Sequence, residues 1–126
     1  MVLCDRFTDS TVAYQGYGRG FDLAQIKAVQ NLIIGDLTPD LTLMLDIEPE
    51  AGLKRSGRRL AAEALQIEQN EDRFENMEID FHERLRAGFL EIAAGEPERC
   101  VVLDAAQDVV SMADEIYAQV QSRLKG

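Results

Sequence analysis

The sequence is poor in the residues from which metal and disulfide sites are built. It holds one histidine and two cysteines in 126 residues. His82, Cys4 and Cys100 lie too far apart for the short spacings by which Cys and His grip zinc, so no zinc site is expected. Both cysteines fall in apolar, strand-like runs. They read as buried free thiols of a reducing compartment, and the cytoplasm is the expected location. No apolar run approaches the roughly 20 residues of a membrane span, and no charged-then-apolar leader pattern opens the chain. Basic residues are also in deficit: 13 Lys and Arg stand against 23 Asp and Glu, for a net charge of −10. A nucleic-acid backbone needs a basic surface, so neither nucleic acid nor membrane is an expected partner. A single nucleotide stays possible, because a few placed arginines suffice. Finally, Gly16, Gly18 and Gly20 do not make a phosphate loop. Their spacing is wrong and no Lys-Ser/Thr follows, so they read as a flexible turn, with no role assigned to Arg19.

What remains is an ordinary globular composition, 46% hydrophobic and 29% charged, in a length suited to one domain with a real core. Met1 to Cys4 form a short apolar run, read as a first, buried strand. Asp22 is a plausible N-cap for a helix whose apolar positions Leu23, Ile26, Val29, Leu32 and Ile33 recur at helical spacing, with Gly35 as its stop. Leu41 to Ile47 is nearly continuously apolar, as expected of a strand covered on both faces. Pro49 suits the first turn of a helix running to about Arg59. The stretch from Ala61 to Glu75 has good helix formers but mixed charge. From Met77, the stripe Phe81, Leu85, Phe89 and Ile92 predicts a long helix ending near Gly95. Cys100 to Asp104 is a third strand, and Asp108 to Leu124 a last helix with Met112, Ile116, Val120 and Leu124 on one face. Strands alternating with helices imply an α/β domain with a parallel sheet and flanking helices.

The first strand runs straight into Asp5-Arg6. Carboxyl ends of parallel strands face the ligand crevice. There, Asp5 offers oxygen to Mg²⁺ or its waters, and Arg6 offers a planar fork suited to a phosphate. Thr8 to Thr11, then Tyr14-Gln15, supply hydroxyls, an amide and a ring that read as a nucleoside pocket. Asp46, ending the second strand, points another acid at the crevice. His82 reads as a solvated position on the long helix.

The segment DRFTDSTVAYQGYGRG resembles the Asp-Arg…Ser…Ala-Tyr-Gln-Gly segment of bacterial thymidylate kinases. Thr38 to Arg55, Asp72 to Glu75, Asp80 to Ala93 and Val101 to Ala105 continue the resemblance in order along nearly the whole chain. The family's Gly-x-x-x-x-Gly-Lys-Ser/Thr loop is absent, so the chain looks like the second half of such an enzyme. The resemblance implies a partial P-loop nucleoside monophosphate kinase fold lacking the P-loop strand, which in the family lies between the Asp-Arg strand and the Leu41 to Ile47 strand. It implies a single domain over residues 1–126, with a lid over 55–75 that closes on ATP.

The parent activity so implied is transfer of a phosphoryl group from ATP to dTMP, with Mg²⁺. Arg6 would hold the phosphate of dTMP, with Asp5 near the metal and the transferring group. Ser10, Thr11, Tyr14 and Gln15 would line the dTMP pocket, Tyr14 against the sugar and Thr11 and Gln15 near the base. Arg55, Ala105 and Ala106 would sit beside the adenine of ATP, and Arg58, Arg59 and Arg73 are the lid arginines that could act on the transition state. Strands left without the P-loop strand would expose backbone donors and acceptors, so self-association into a homodimer is expected. Without the P-loop the chain alone is expected not to turn over. The rival reading is a non-catalytic nucleotide-binding or structural fragment.

Overall fold

The computed structural model describes residues 1–63 and 71–125, with residues 58–63 and 71–77 described as backbone alone. The sequence reading of alternating strands and helices holds for most of that length. Helix α1 (Thr8–Thr11) runs directly into a π-helix over Val12–Gly18. Then follow α2 (Leu23–Ile34), β1 (Thr42–Asp46), α3 (Pro49–Glu63), α4 (Glu71–Gly95), β2 (Cys100–Asp104) and α5 (Val109–Lys125).

Local signals set several boundaries. The Asp22 carboxylate accepts from Ala24 N–H at 2.8 Å and starts α2, while Gly35 ends it at φ +66, a conformation glycine adopts without a Cβ penalty. Pro49 opens α3, where its missing N–H costs nothing. Asp108 caps α5, accepting from both the N–H and the hydroxyl of Ser111 at 2.8 and 2.7 Å. The two strands pair in parallel, Thr42 opposite Cys100 and Asp46 opposite Asp104.

Packing is layered. Phe89 and Ile92 of α4 pack on Met44, Ala93 and Cys100. The same Phe89 also meets the ring of Tyr14 in the π-helix. Thus α4 lies between the sheet and the α1–π-helix segment. At the lower end of the sheet, Arg99 holds the layers together. Its guanidinium donates to both carboxylate oxygens of Asp9 at 2.7 and 3.2 Å and to Thr42 Oγ1 at 2.7 Å, and it also pairs with Glu96. Those bonds raise the Arg99 pKa further.

Four expectations are corrected. Met1 to Cys4 is not a strand: it makes no ladder, and Cys4 is exposed rather than buried, whereas Cys100 is buried as expected. A four-residue strand gains its hydrogen bonds only from a neighbour, and among the described residues β1 and β2 pair only with each other. The sheet is not covered throughout either, since Leu45 is 54% and Val102 41% exposed. The glycines after Tyr14 are not all a flexible turn. Gly16 and Gly18 are buried within the π-helix, and only Gly20, at φ +81, sits in the turn itself. Finally, α3 extends to Glu63 and α4 begins at Glu71, so the mixed-charge stretch is helical at both described ends. No described helix is long and apolar enough to cross a membrane.

Candidate functional site

Arg6 sits one residue before the N-cap of α1, Phe7, with φ +63, a left-handed conformation that a residue carrying a Cβ adopts at a cost. Its guanidinium carbon lies 5.7 Å from the centroid of the Tyr14 ring, within cation–π range. Tyr14 is half-buried and seated between two rings of α4, Phe81 at 6.2 Å and Phe89 at 6.4 Å in an edge-on arrangement. An exposed arginine is thereby held over a ring that is itself clamped. Arg6 is exposed and, among the described residues, enters no ion pair. Asp5 is adjacent and exposed, and Ser10, Thr11 and Gln15 lie on the helical segment that carries Tyr14. Ser10 does not cap α1 with its side chain.

A second group gathers at the carboxyl ends of β1 and β2. The Asp46 carbonyl accepts from Ala105 N–H at 2.7 Å, extending the ladder by one bond. The Ala105 carbonyl accepts from Arg55 Nη1 at 3.0 Å, and Asp104 Oδ1 accepts from Ala106 N–H at 2.8 Å. Arg55, Ala105 and Ala106, named separately from the sequence, therefore form one local cluster.

Asp46 does not point an open acid into the crevice as expected. Arg86 of α4 grips it, Nε to Oδ1 at 2.7 Å and Nη2 to Oδ2 at 3.0 Å, and reaches Glu48 with Nη1 at 2.8 Å. Both bonds raise the Arg86 pKa further. Arg86 was missed from sequence. The available signal was an arginine beside the apolar stripe of a helix packed on strands that end in acids. Arg99 and Asp9 were missed as well, for want of any local pattern linking them.

His82 is half-buried on α4, 3.8 Å from Glu78 one turn earlier, with its ring edge-on to Phe81 at 5.5 Å. The side chains of Arg58, Arg59 and Arg73, and the central part of the 55–75 lid, lie outside the described residues. Among the described residues no three acidic, thiol or imidazole groups converge as a metal cage. Mg²⁺ commonly binds through one or two carboxylates, waters and substrate phosphates. Asp5, an exposed hard-oxygen donor beside Arg6, fits that mode; Asp46, held by Arg86, does not. A separate open depression of about 390 Å³ is lined by Glu48, Pro49, Glu50, Ala51, Lys54 and Glu83. Three glutamates against one lysine do not suit a phosphate.

Residues 1–116 match the family model described as thymidylate kinase. The chain is similar to the thymidylate kinase of Rhodopseudomonas palustris (strain BisB18), with 49% identity over 124 residues covering 98% of this chain and 51% of that protein. It is similar to the thymidylate kinase of Desulfovibrio desulfuricans, with 42% identity over 125 residues covering 99% of this chain and 57% of that one. A crystal structure of thymidylate kinase from Ehrlichia chaffeensis superimposes with a TM-score of 0.54 at 34% identity, over 79% of this chain and 40% of that chain. The chain spans about half the length of the curated relatives it matches. With Arg6 set over Tyr14 on a parallel α/β fold, and likeness running along nearly all of its length, the chain belongs to the thymidylate kinase family.

Proposed function

We propose that this chain carries the dTMP-binding and lid portions of a dTMP kinase, the enzyme that moves a phosphoryl group from ATP to dTMP. The observation that carries the reading is the Arg6 guanidinium 5.7 Å over the Tyr14 ring. A phosphate set against Arg6 would leave the attached sugar against that ring. In this reading Arg6 binds the phosphate of dTMP, Tyr14 packs on the sugar, Ser10 lines the pocket, and Thr11 and Gln15 hydrogen-bond near the base. Such a site rejects a base that leaves its polar groups unpaired. Arg55, Ala105 and Ala106 flank the adenine of ATP. Arg58, Arg59 and Arg73 are the lid arginines available to neutralise charge in the transition state.

Asp5 would hold Mg²⁺ directly or through water, and the ion would screen the phosphates of ATP. Phosphoryl transfer depends mainly on positioning and electrostatic stabilisation, which the Asp5-Arg6 pair is suited to give. The sequence contains no Gly-x-x-x-x-Gly-Lys-Ser/Thr segment, so this polypeptide by itself binds dTMP without phosphorylating it. Two free thiols support a cytoplasmic setting. Leu32, 86% exposed on α2, supports self-association into a homodimer.

The test is a dTMP titration of ¹⁵N-labelled protein. Shifts should concentrate at Arg6, Ser10, Thr11, Tyr14 and Gln15, and ATP with Mg²⁺ should yield no dTDP. Shifts confined to other residues would remove the pocket assignment. Sustained turnover by a homogeneous sample would remove the claim of inactivity.

A further inference from the structure

The π-helix needs a cause. Its last turn runs from Tyr14 C=O to Arg19 N–H at 3.0 Å, an i to i+5 bond, and a wider bond beyond its end joins Gln15 C=O to Phe21 N–H at 2.9 Å. Seven residues in this form are rare, and an isolated segment would relax to α-helix. The change matters for side chains. An i to i+5 ladder adds a residue to the turn, so residues after Val12 face directions that they would not face in an α-helix.

The neighbouring helix supplies the cause. Gly88 lies inside the 25-residue α4, where glycine weakens a helix. A Cβ built on Gly88 would stand 2.6 Å from both Cβ and Cγ of Tyr17. The Tyr17 Cβ is fixed to backbone and cannot swing aside. One turn earlier on the same face, Arg84 Nε donates to the carbonyl of Gly18, the last residue of the π-helix, at 3.4 Å. One turn earlier again, Phe81 lies 2.7 Å from where a Gly18 Cβ would stand. Phe81 also takes the Tyr14 ring from one side while Phe89 takes it from the other. Ala13, one residue before Tyr14, is fully buried. Phe81, Arg84 and Gly88 thus form a single stripe of α4, spaced three and four residues apart.

We propose that this stripe, and Gly88 above all, sets the π register of Val12–Gly18 and so acts as a positioning element for Tyr14 in discrimination between deoxyribose and ribose nucleotides. The proposal rests on the dTMP reading above and adds the residues that hold its pocket in shape. None of Phe81, Arg84 and Gly88 is placed in contact with the nucleotide; they act through the helix they pack on. Filling Gly88 pushes Tyr17 away from α4, turns the segment, and draws Tyr14 out from between Phe81 and Phe89.

The test compares affinities of the wild-type chain and Gly88→Ala for dTMP and for ribothymidine 5′-monophosphate. A loss of folded protein lowers both affinities alike, so their ratio reports position. The wild-type preference for dTMP should shrink about fivefold or more in Gly88→Ala, in line with contact-level discrimination. The double exchange Gly88→Ala with Tyr17→Gly, which removes the opposing Cβ, should restore much of it. An unchanged ratio in Gly88→Ala, or no recovery in the double variant, would overturn the proposal.

A wild-type chain that binds neither nucleotide would sink the dTMP reading instead. The register is then decided by NMR on the wild-type chain and on Gly88→Ala, the wild-type spectrum serving alone if the variant does not fold. Slow exchange at the Arg19 amide, with Tyr14–Phe89 ring contacts, that is lost in Gly88→Ala supports the register half of the proposal, the nucleotide half having fallen with the dTMP reading. An α-helical bonding pattern through Gly18 overturns it.

Discussion

Arg86 and Asp46 meet as a two-pronged pair, 2.7 and 3.0 Å, forty residues apart in sequence. The same arginine holds Glu48, at the turn into α3. Through the backbone, Asp46 bonds Ala105, and Ala105 bonds Arg55. One side chain of α4 therefore anchors the whole carboxyl end of the sheet. The pair is partly exposed, so water screens it. Replacing Arg86 by Met should still cost about 1–2 kcal/mol, because Asp46 loses two charge-assisted bonds. Urea unfolding of the two chains checks this, and an unchanged midpoint would show that the pair contributes nothing.

Arg99 with Asp9 is the better-buried pair, the two side chains being 11% and 17% exposed. It joins α1 to the start of β2 across ninety residues. Asp9→Ala leaves a mostly buried guanidinium with fewer partners, and the expected loss is about 3 kcal/mol. The same urea experiment should show this variant falling further than Arg86→Met. The reverse order would mean that burial does not govern these two pairs.

Alkali should loosen the fold. Burial pushes the Cys100 thiol up, and burial together with the Glu91 carboxylate pushes the Tyr17 phenol up. In both, the folded pKa lies above the unfolded one, so the fold favours the protonated form. Their contribution is complete below about pH 8 and is lost as the pH rises through the thiol range and then the phenol range. Urea midpoints should decline from pH 8 to 11, with the first part of the decline absent in Cys100→Ala. Asp108 works in the opposite sense. Its bonds from Ser111 hold its pKa down, so the stability it adds is present above the ordinary carboxylate range and lost as the pH falls through it.

The open face of α2 should govern self-association. Leu32 and Ile33 project from a helix with no buried residue. Leu32→Asp should shift sedimenting species towards monomer while leaving the helical content unchanged. Identical sedimentation of both chains at every concentration would remove α2 from the account.

Legibility followed the range of the forces involved. Asp22 and Gly35 mark α2 because capping is local, and Cys100 to Asp104 was readable from its apolar run. Met1 to Cys4 has the same kind of pattern, but a parallel strand draws its bonds from neighbours that its own residues do not announce. Gly16 and Gly18 signalled a turn locally, whereas their reason lies in close approaches from elsewhere, Leu23 of α2 to Gly16 and Phe81 of α4 to Gly18. Asp46 looked available because its partner, Arg86, is forty residues away. Arg6 and Tyr14 were legible as members of one motif; that they stack was not, since stacking depends on the π-helix and on the Phe81–Phe89 clamp. Arg55 and Ala105 were each named, but the bond between them was not.

The central claim is that Arg6 and Tyr14 form a subsite for the phosphate and sugar of dTMP. Calorimetric titration of dTMP into the chain and into Arg6→Ala tests it most directly. Saturable one-to-one binding is predicted, weakened about tenfold or more in Arg6→Ala through loss of a charge-assisted contact. Equal affinity in the two proteins, or no saturable heat in the unmutated one, would contradict it.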